Sequence, residues 1–327
     1  MSRVLVTGIE GFAGRHLAAL LADTGHTVSG IHLAPPPTDP RLRLYEADIR
    51  DLAAVRRAVT DCRPERVVHL AAVSSVAESE NAATTTFEVN ALGTLKLFEA
   101  LRLAGLAPRV LVISSANVYG PAVSSVYPMA RPPAPLTEDA AIQPLSPYAL
   151  SKLACEQVGR YYRDAHGFDV VTLRPFSHTG PGQSPSFVFS SAARRIAALE
   201  HSRDNTGGRL EMGNLEVRRD YTDVRDIVRA YALALDRCDP GSVFNITSGR
   251  PVLLRDAIET MVRLARCPIT VVTATDKLRP RDLPVLTGDP SRFHAATDWE
   301  TEIPFEQTLA DLLDYWRQQP PDDDRQS

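Results

Sequence analysis

Cysteine is scarce in these 327 residues: there are four, Cys62, Cys155, Cys238 and Cys267, widely spaced and in no CxxC pair or Cys/His cluster. That spacing argues against a disulfide framework and a structural zinc, no metal site is expected, and the pattern suits a reducing cytoplasm. Long apolar runs are missing as well. No stretch approaches the roughly 20 residues of a membrane span, and the first apolar run, Val4-Leu5-Val6, is strand-sized and unlike a secretory leader. Positive charge is not in excess either: 36 Lys+Arg against 40 Asp+Glu give a formal net charge of −4, which disfavours a dedicated nucleic-acid binder. What is present is an ordinary globular composition, 44% hydrophobic and 23% charged, in a chain long enough for one large α/β unit or two domains.

Strand and helix signals alternate through the first half. Residues 1–7 form a buried-strand pattern, followed at once by Gly8, a helical stretch over about 15–24, and a second short strand at 28–31. A βαβ opening of this kind implies a parallel sheet. Further strands are predicted at 41–46, 66–71, 109–114 and 170–173, and helices at about 51–61, 85–105 and 148–166. The near-continuous apolar run at 109–114 suits a strand covered on both faces. After Arg174-Pro175 the alternation weakens; residues 175–220 are rich in Gly, Ser, Pro and Arg. Helix and strand return over 221–248, with a strand at 243–246, and a helix near 254–265, a strand near 269–273 and a helix near 305–317 follow. The fold expected is α/β, a Rossmann-type doubly wound parallel sheet with a smaller C-terminal α/β substrate domain. Its dinucleotide part spans 1–174 plus about 221–248. The second part takes about 175–220 and 249–317, and 318–327 is a disordered tail.

Gly8-Ile9-Glu10-Gly11-Phe12-Ala13-Gly14 is GxxGxxG between a strand and a helix. Gly8 permits the tight turn, Gly11 lets backbone approach a pyrophosphate, and Gly14 lets the helix pack against the sheet; the phosphates then rest on the helix N-terminus. Phe12 and Ala13 complete that loop. His32 at the end of the second strand, Asp48-Ile49 after the third, and Leu70-Ala71-Ala72 after the fourth are the remaining candidate cofactor contacts. The second strand ends in Ile31-His32-Leu33-Ala34, without the carboxylate that marks a NAD-preferring site. With Arg41 and Arg43 following, this leans toward NADP(H) over NAD(H), although the same arginines would equally solvate a loop.

Tyr148-Ala149-Leu150-Ser151-Lys152 is YxxxK, which puts the phenol and the ammonium on one helix face. A lysine charge beside a phenol makes the phenol a usable proton donor or acceptor near neutrality. Upstream, the strand at 109–114 runs into Ser114-Ser115-Ala116-Asn117, so a hydroxyl sits at the strand edge where doubly wound sheets bind ligands.

Together these motifs resemble the extended short-chain dehydrogenase/reductases that act on nucleotide sugars, over about residues 3–317. The resemblance implies that Ser115 bonds the 4-oxygen of the sugar, that Tyr148 is the acid/base, and that Lys152 holds the nicotinamide ribose and tunes Tyr148. Asn90 matches a mainly structural asparagine. In the second half, the run Arg174 to Gln183 (RPFSHTGPGQ) is similar to RPFNHTGPGQ of the GDP-mannose branch. Residues 213–226 (GNLEVRRDYTDVRD) and 278–284 (LRPRDLP) are similar to two further segments of that branch. By this resemblance Arg194, Arg219 and Arg279 hold the diphosphate as forked donors, Asp282 holds a ribose hydroxyl, and Ser74, Asn117 and Ser177 join the substrate contacts. Ser177 replaces the asparagine of the branch.

Dehydratases of the branch carry a carboxylate one or two residues after the Ser/Thr. Here those positions are Ala116 and Asn117, and an amide does not exchange a proton at neutral pH as a carboxylate does. The expected activity is therefore NAD(P)H-dependent reduction of the C4 ketone of GDP-4-keto-6-deoxy-D-mannose to a GDP-6-deoxyhexose, GDP-D-rhamnose. A GDP-mannose 4,6-dehydratase, a nucleotide-sugar 4-epimerase and a non-catalytic dinucleotide sensor are the alternatives. The expected partner is a second copy of the chain, through the helices near 85–105 and 148–166, with neither nucleic acid nor membrane.

Overall fold

The computed structural model describes residues 1–120, 134–202, 207–274 and 284–320. In chain order the first half runs β1 (Arg3–Thr7), α1 (Phe12–Asp23), β2 (Thr27–His32), β3 (Arg43–Glu46), α2 (Leu52–Cys62) and β4 (Arg66–His69). It continues through α3 (Val76–Asn81), α4 (Ala83–Phe87), α5 (Gly93–Leu103), β5 (Arg109–Ile113), α6 (Pro147–His166) and β6 (Asp169–Pro175). Beyond it lie β7 (Ser177–Thr179), α7 (Val188–His201), β8 (Gly208–Met212), β9 (Arg218–Asp223), α8 (Val224–Arg237) and β10 (Val243–Ile246). The chain then forms β11 (Pro251–Leu253), α9 (Leu254–Arg263), β12 (Ile269–Thr273), β13 (Val285–Leu286), α10 (Ser291–Thr297) and α11 (Phe305–Gln318).

Seven strands make the central sheet, in the order β10-β6-β5-β4-β1-β2-β3, and every pairing in it is parallel. Parallel strands buried on both faces need apolar residues at successive positions, and β1, β4, β5 and β6 supply them: Val4, Leu5 and Val6, or Val110, Leu111 and Val112, are all 1% exposed or less. Two apolar layers result. One packs α1 and α8 on Val4, Val6, Val68, Leu111 and Val171; the other packs α2, α5 and α6 on Leu5, Val67, Val110, Val112 and Val170. Helices on both faces of a parallel sheet are the Rossmann-type doubly wound arrangement.

Outside this sheet, β9 lies between β11 and β13 and also pairs with β7, while β8 and β12 form a two-stranded sheet. A separate apolar cluster gathers α7, α9 and α11 through Phe189, Ile196, Leu210, Ile258, Met261, Leu309 and Leu313. The chain leaves the central sheet at Pro175, builds α7 to β9, and returns to it with β10, whose Val243 pairs with Thr172 of β6.

The helices at Val76–Asn81 and Ser291–Thr297 were not expected, and two longer segments differ from the sequence reading. The helix expected over 85–105 is broken into α4, a wide turn at Glu88–Leu92, and α5. Within the wide turn the Asn90 carbonyl accepts from Thr94 Oγ1 at 2.6 Å and from the Cys155 thiol at 3.2 Å. The Gly93 N–H in turn reaches back five residues to Glu88 O, the bonding that makes the turn wide. Within 175–220, where no helix was expected, α7 forms. Its Phe189, Ala192, Ala193, Ile196 and Ala197 recur at helical spacing and are buried.

Candidate active site

The glycine loop lies at the C-terminal ends of the central strands. Gly8 has φ +67°, and a Cβ there would sit 2.8 Å from the Cα and N of Ala71. At Gly14 a Cβ would meet the Gly8 carbonyl oxygen at 2.3 Å. Gly11 is the N-cap of α1, so no side chain covers the first N–H groups of that helix, and its first turn carries no acid. Bare N–H groups at a helix start beside a loop of minimal bulk suit a pyrophosphate. The strand ends around it are correspondingly small: Leu70 and Ala71 follow β4, with the Ala71 N–H donated to Thr7 Oγ1 at 3.1 Å, and Ala72 comes next.

At the far end of this cleft His32 Nδ1 donates to Ala34 O, 3.1 Å away. Asp48 is clamped by Arg50, whose Nη2 reaches it at 2.6 Å, and this pairing holds its carboxyl below the usual carboxylate range. Ile49 is buried under Gly93. Arg41 is tied to Asp39 and to Asp23, and Arg43 to Asp61. A carboxylate that the sequence reading did not count reaches the end of β2 from the glycine loop itself: Glu10 Oε1 accepts from Leu33 N at 2.9 Å.

Ser146 caps α6 by accepting from Ala149 N, and Pro147 occupies its first turn, which fixes where the helix starts. Tyr148 and Lys152 on α6 are 8% and 6% exposed. Lys152 Nζ lies 5.9 Å from the centre of the Tyr148 ring and donates to Ile113 O, the last residue of β5, at 2.9 Å. This bond ties the YxxxK face to the strand end that carries Ser115. Ser115 Oγ, 5% exposed, accepts from the backbone N–H of Asn117 at 3.2 Å and from its side-chain Nδ2 at 3.1 Å. Asn117 therefore serves the hydroxyl as a donor, and Ala116 beside it is buried.

Behind these groups stands a buried ionic cluster. Glu156, one turn on from Lys152, accepts from Ser114 Oγ at 2.5 Å and from Nε and Nη2 of Arg174 at 2.9 and 2.8 Å. Arg174 also donates to Tyr119 OH and to Glu138 O. Asn90 bonds Val73 through both side-chain atoms and donates to Ser151 Oγ at 2.9 Å, a structural clasp between the turn after β4 and α6. His69 is fully buried between Thr7 and Thr94; burial, together with the Lys152 charge, holds its pKa down at about 3.

The candidate substrate residues come from different elements. Ser177 is in β7, in register with Tyr221 of β9. Arg219 is on β9 and donates to Arg218 O at 2.9 Å. Arg194 is on α7, its guanidinium 6.0 Å from the Trp316 ring. Ser74 is exposed in the turn after β4. Arg279 and Asp282 lie outside the described residues. His178, which the sequence reading did not single out, stacks on Phe12 of the glycine motif with ring centres 6.0 Å apart, and burial lowers its pKa. His16 bonds Pro181 O at 2.9 Å. The 178–181 segment is thus seated on the helix that opens the glycine site.

A family model for GDP-mannose 4,6 dehydratase matches residues 5–312. The chain belongs to that family. Among relatives, it is 35% identical over 315 residues to the GDP-6-deoxy-D-mannose reductase of Pseudomonas aeruginosa, covering 96% of this chain and 97% of that protein. The GDP-mannose 4,6-dehydratase of Yersinia enterocolitica is 26% identical over 357 residues, covering 96% and 93%. Of solved structures, RMD from Pseudomonas aeruginosa complexed with NADPH superposes with TM-score 0.82 at 33% identity, over 97% of this chain and 99% of the other. The UDP-glucose 4-epimerase of Thermotoga maritima with UDP-glucose gives TM-score 0.85 at 26% identity, over 96% and 98%. The relatives thus include a reductase and a dehydratase by name.

Proposed function

We propose that this chain reduces the C4 ketone of GDP-4-keto-6-deoxy-D-mannose to a GDP-6-deoxyhexose, GDP-D-rhamnose, using NADP(H) or NAD(H). The observation that carries this reading is Lys152 beside Tyr148 and bonded to the end of the strand that leads to Ser115, together with Ala116 and Asn117 at the positions where the dehydratases this chain resembles carry a carboxylate. Asn117 donates to Ser115 Oγ. An amide in that role orients a hydroxyl but moves no proton between sugar C5 and C6. Its relatedness to the Pseudomonas reductase supports the same choice.

The glycine loop fits a dinucleotide by the clearance at Gly8, Gly11 and Gly14. Gly8, Gly11, Phe12, Ala13 and Gly14 hold the pyrophosphate, His32, Asp48 and Ile49 flank the adenosine, and Leu70, Ala71 and Ala72 make room along the strand ends. The bound dinucleotide supplies the hydride. Ser115 Oγ donates to the C4 oxygen and orients the ketone. Tyr148 gives its phenolic proton to the oxygen that becomes the alcohol, and the Lys152 charge offsets the phenolate that results. Residues 1–174 with about 221–248 form the dinucleotide part; about 175–220 and 249–317 close over the sugar nucleotide, with Ser74, Ser177, Arg194, Arg219, Arg279 and Asp282 as its contacts. A homodimer through α5 and α6 is supported by Leu92, Leu95, Leu103, Leu150 and Tyr161, which stay exposed on and beside those helices. Four buried free thiols suit the cytoplasm.

The test supplies GDP-4-keto-6-deoxymannose generated in situ, with NADPH or NADH, and follows absorbance and product sugar. Oxidation of a reduced dinucleotide with formation of a GDP-6-deoxyhexose is expected, and Tyr148→Phe should lower turnover by about 10²–10⁴-fold while dinucleotide binding stays within a factor of about three. No oxidation of either dinucleotide, or conversion of GDP-mannose by the protein alone, overturns the assignment.

A further inference from the structure

Glu10 is the second variable residue of the glycine motif, in the loop between β1 and α1. Its side chain crosses to the end of β2. Oε1 accepts from Leu33 N at 2.9 Å and, more weakly, from Ala34 N at 3.4 Å. Oε2 is buried and has no hydrogen-bond partner. The loop is held in this pose by Arg15, whose Nε donates to the Glu10 carbonyl at 2.6 Å. In a doubly wound fold the C-terminal end of the second strand is where the adenosine ribose rests, and an acid there receives the 2′-hydroxyl. This chain has no acid on β2 itself. The structure supplies one from the loop.

The two arginines that follow β2 in the chain are already paired with carboxylates. Arg41 is bonded to Asp39 and Asp23, and Arg43 to Asp61. A buried carboxylate oxygen without a donor costs free energy until a donor arrives. A ribose hydroxyl is such a donor; a 2′-phosphate has none to give at neutral pH and adds like charge at short range.

We propose that Glu10 determines cofactor specificity in this chain, its carboxylate accepting from the adenosine ribose hydroxyls and excluding a 2′-phosphate, so that NADH is bound in preference to NADPH. This rests on the reading that the glycine loop holds a nicotinamide dinucleotide. It separates the chain from the Pseudomonas structure that carries NADPH.

The experiment is a direct titration of the purified protein with NADH and with NADPH by nicotinamide fluorescence or calorimetry, without substrate. The unaltered chain should bind NADH at least tenfold more tightly than NADPH. Glu10→Gln, equal in size but uncharged, should tighten NADPH by tenfold or more and change NADH by no more than about threefold. Glu10→Ser should move the ratio the same way, and a thermal melt of each variant without ligand shows that it is folded. Tighter binding of NADPH by the unaltered chain, or a NADH-over-NADPH preference in folded Glu10→Gln and Glu10→Ser that stays within twofold of that of the unaltered chain, overturns the proposal while leaving the dinucleotide reading standing. Binding of neither dinucleotide by the unaltered chain overturns both.

Discussion

Glu156→Gln is the sharpest probe of how the site is supported. The substitution keeps the volume and one acceptor but removes the negative charge that faces Arg174. Arg174 is 4% exposed and Glu156 6%, and their contact is a two-pronged one at 2.9 and 2.8 Å. Removing one partner of a buried pair leaves an uncompensated charge, at a cost of about 3–5 kcal/mol. Tyr119 OH and Glu138 O still accept from Arg174, which argues for the lower end, about 3 kcal/mol. With a urea m-value of about 3 kcal/mol/M for a chain of this size, the unfolding midpoint should fall by about 1 M. The assay is urea unfolding followed by tryptophan fluorescence and circular dichroism. The paired replacement Glu156→Leu with Arg174→Met removes both charges and should recover most of the loss, because well-packed apolar residues in such a place are close to neutral or better. A midpoint shift below about 0.3 M for Glu156→Gln would refute the view that this cluster anchors the end of β5. So would a paired variant less stable than the single one.

Two further outcomes follow from the same core. His69 is kept neutral by burial, with a folded pKa of about 3 against about 6.5 unfolded. The unfolded chain therefore takes the proton first, and stability falls as pH drops below about 6.5: about 2 kcal/mol between pH 7 and pH 5 from this residue. His69→Asn should show a shallower loss of unfolding free energy over that window, and an unchanged slope would remove His69 as the cause. At Gly14 an alanine Cβ would press on backbone, the Gly8 oxygen at 2.3 Å and Ile9 carbonyl carbon at 2.9 Å. Gly14→Ala should thus lose about 1–3 kcal/mol despite alanine's better helix propensity, and weaken dinucleotide binding at least tenfold, as a melt and a titration would measure.

Much of the fold was legible because parallel strands buried on two faces leave an unbroken apolar signature. Val243–Ile246 and Ile269–Thr273 match their expected strands at both ends, and Pro147–His166 begins one residue earlier than expected because Ser146 and Pro147 are a strong start signal. Legibility failed where a contact from outside the segment entered a local turn or composition masked period. The Asn90 carbonyl accepts from Thr94 and Cys155, an interaction no window of residues 85–105 contains in full. In α7 the small residues Ala192, Ala193 and Ala197 hide an apolar stripe that still has helical spacing, so the signal existed and was weak. That Tyr148 and Lys152 share a face of α6 beside the end of β5 was legible from motif and strand position. Glu10 was not: the search for an acid followed the end of β2 along the chain, whereas the carboxylate arrives there through space, from 23 residues upstream of Leu33.

The strand that closes the central sheet comes late. β6 is complete at Pro175, yet its neighbour β10 begins at Val243, after α7, β8, β9 and α8. At a synthesis rate of about 5–20 residues per second, the gap from Thr172 to Val243 keeps the outer edge of β6 unpaired for several seconds. That edge belongs to a strand in which Val170 to Leu173 are all buried in the finished protein, the kind of apolar rim that recruits foreign strands. The detour through α7, β8, β9 and α8 is therefore also a timing constraint. The outer edge of β6 becomes safe from foreign strands only once residues 176–242 have been made.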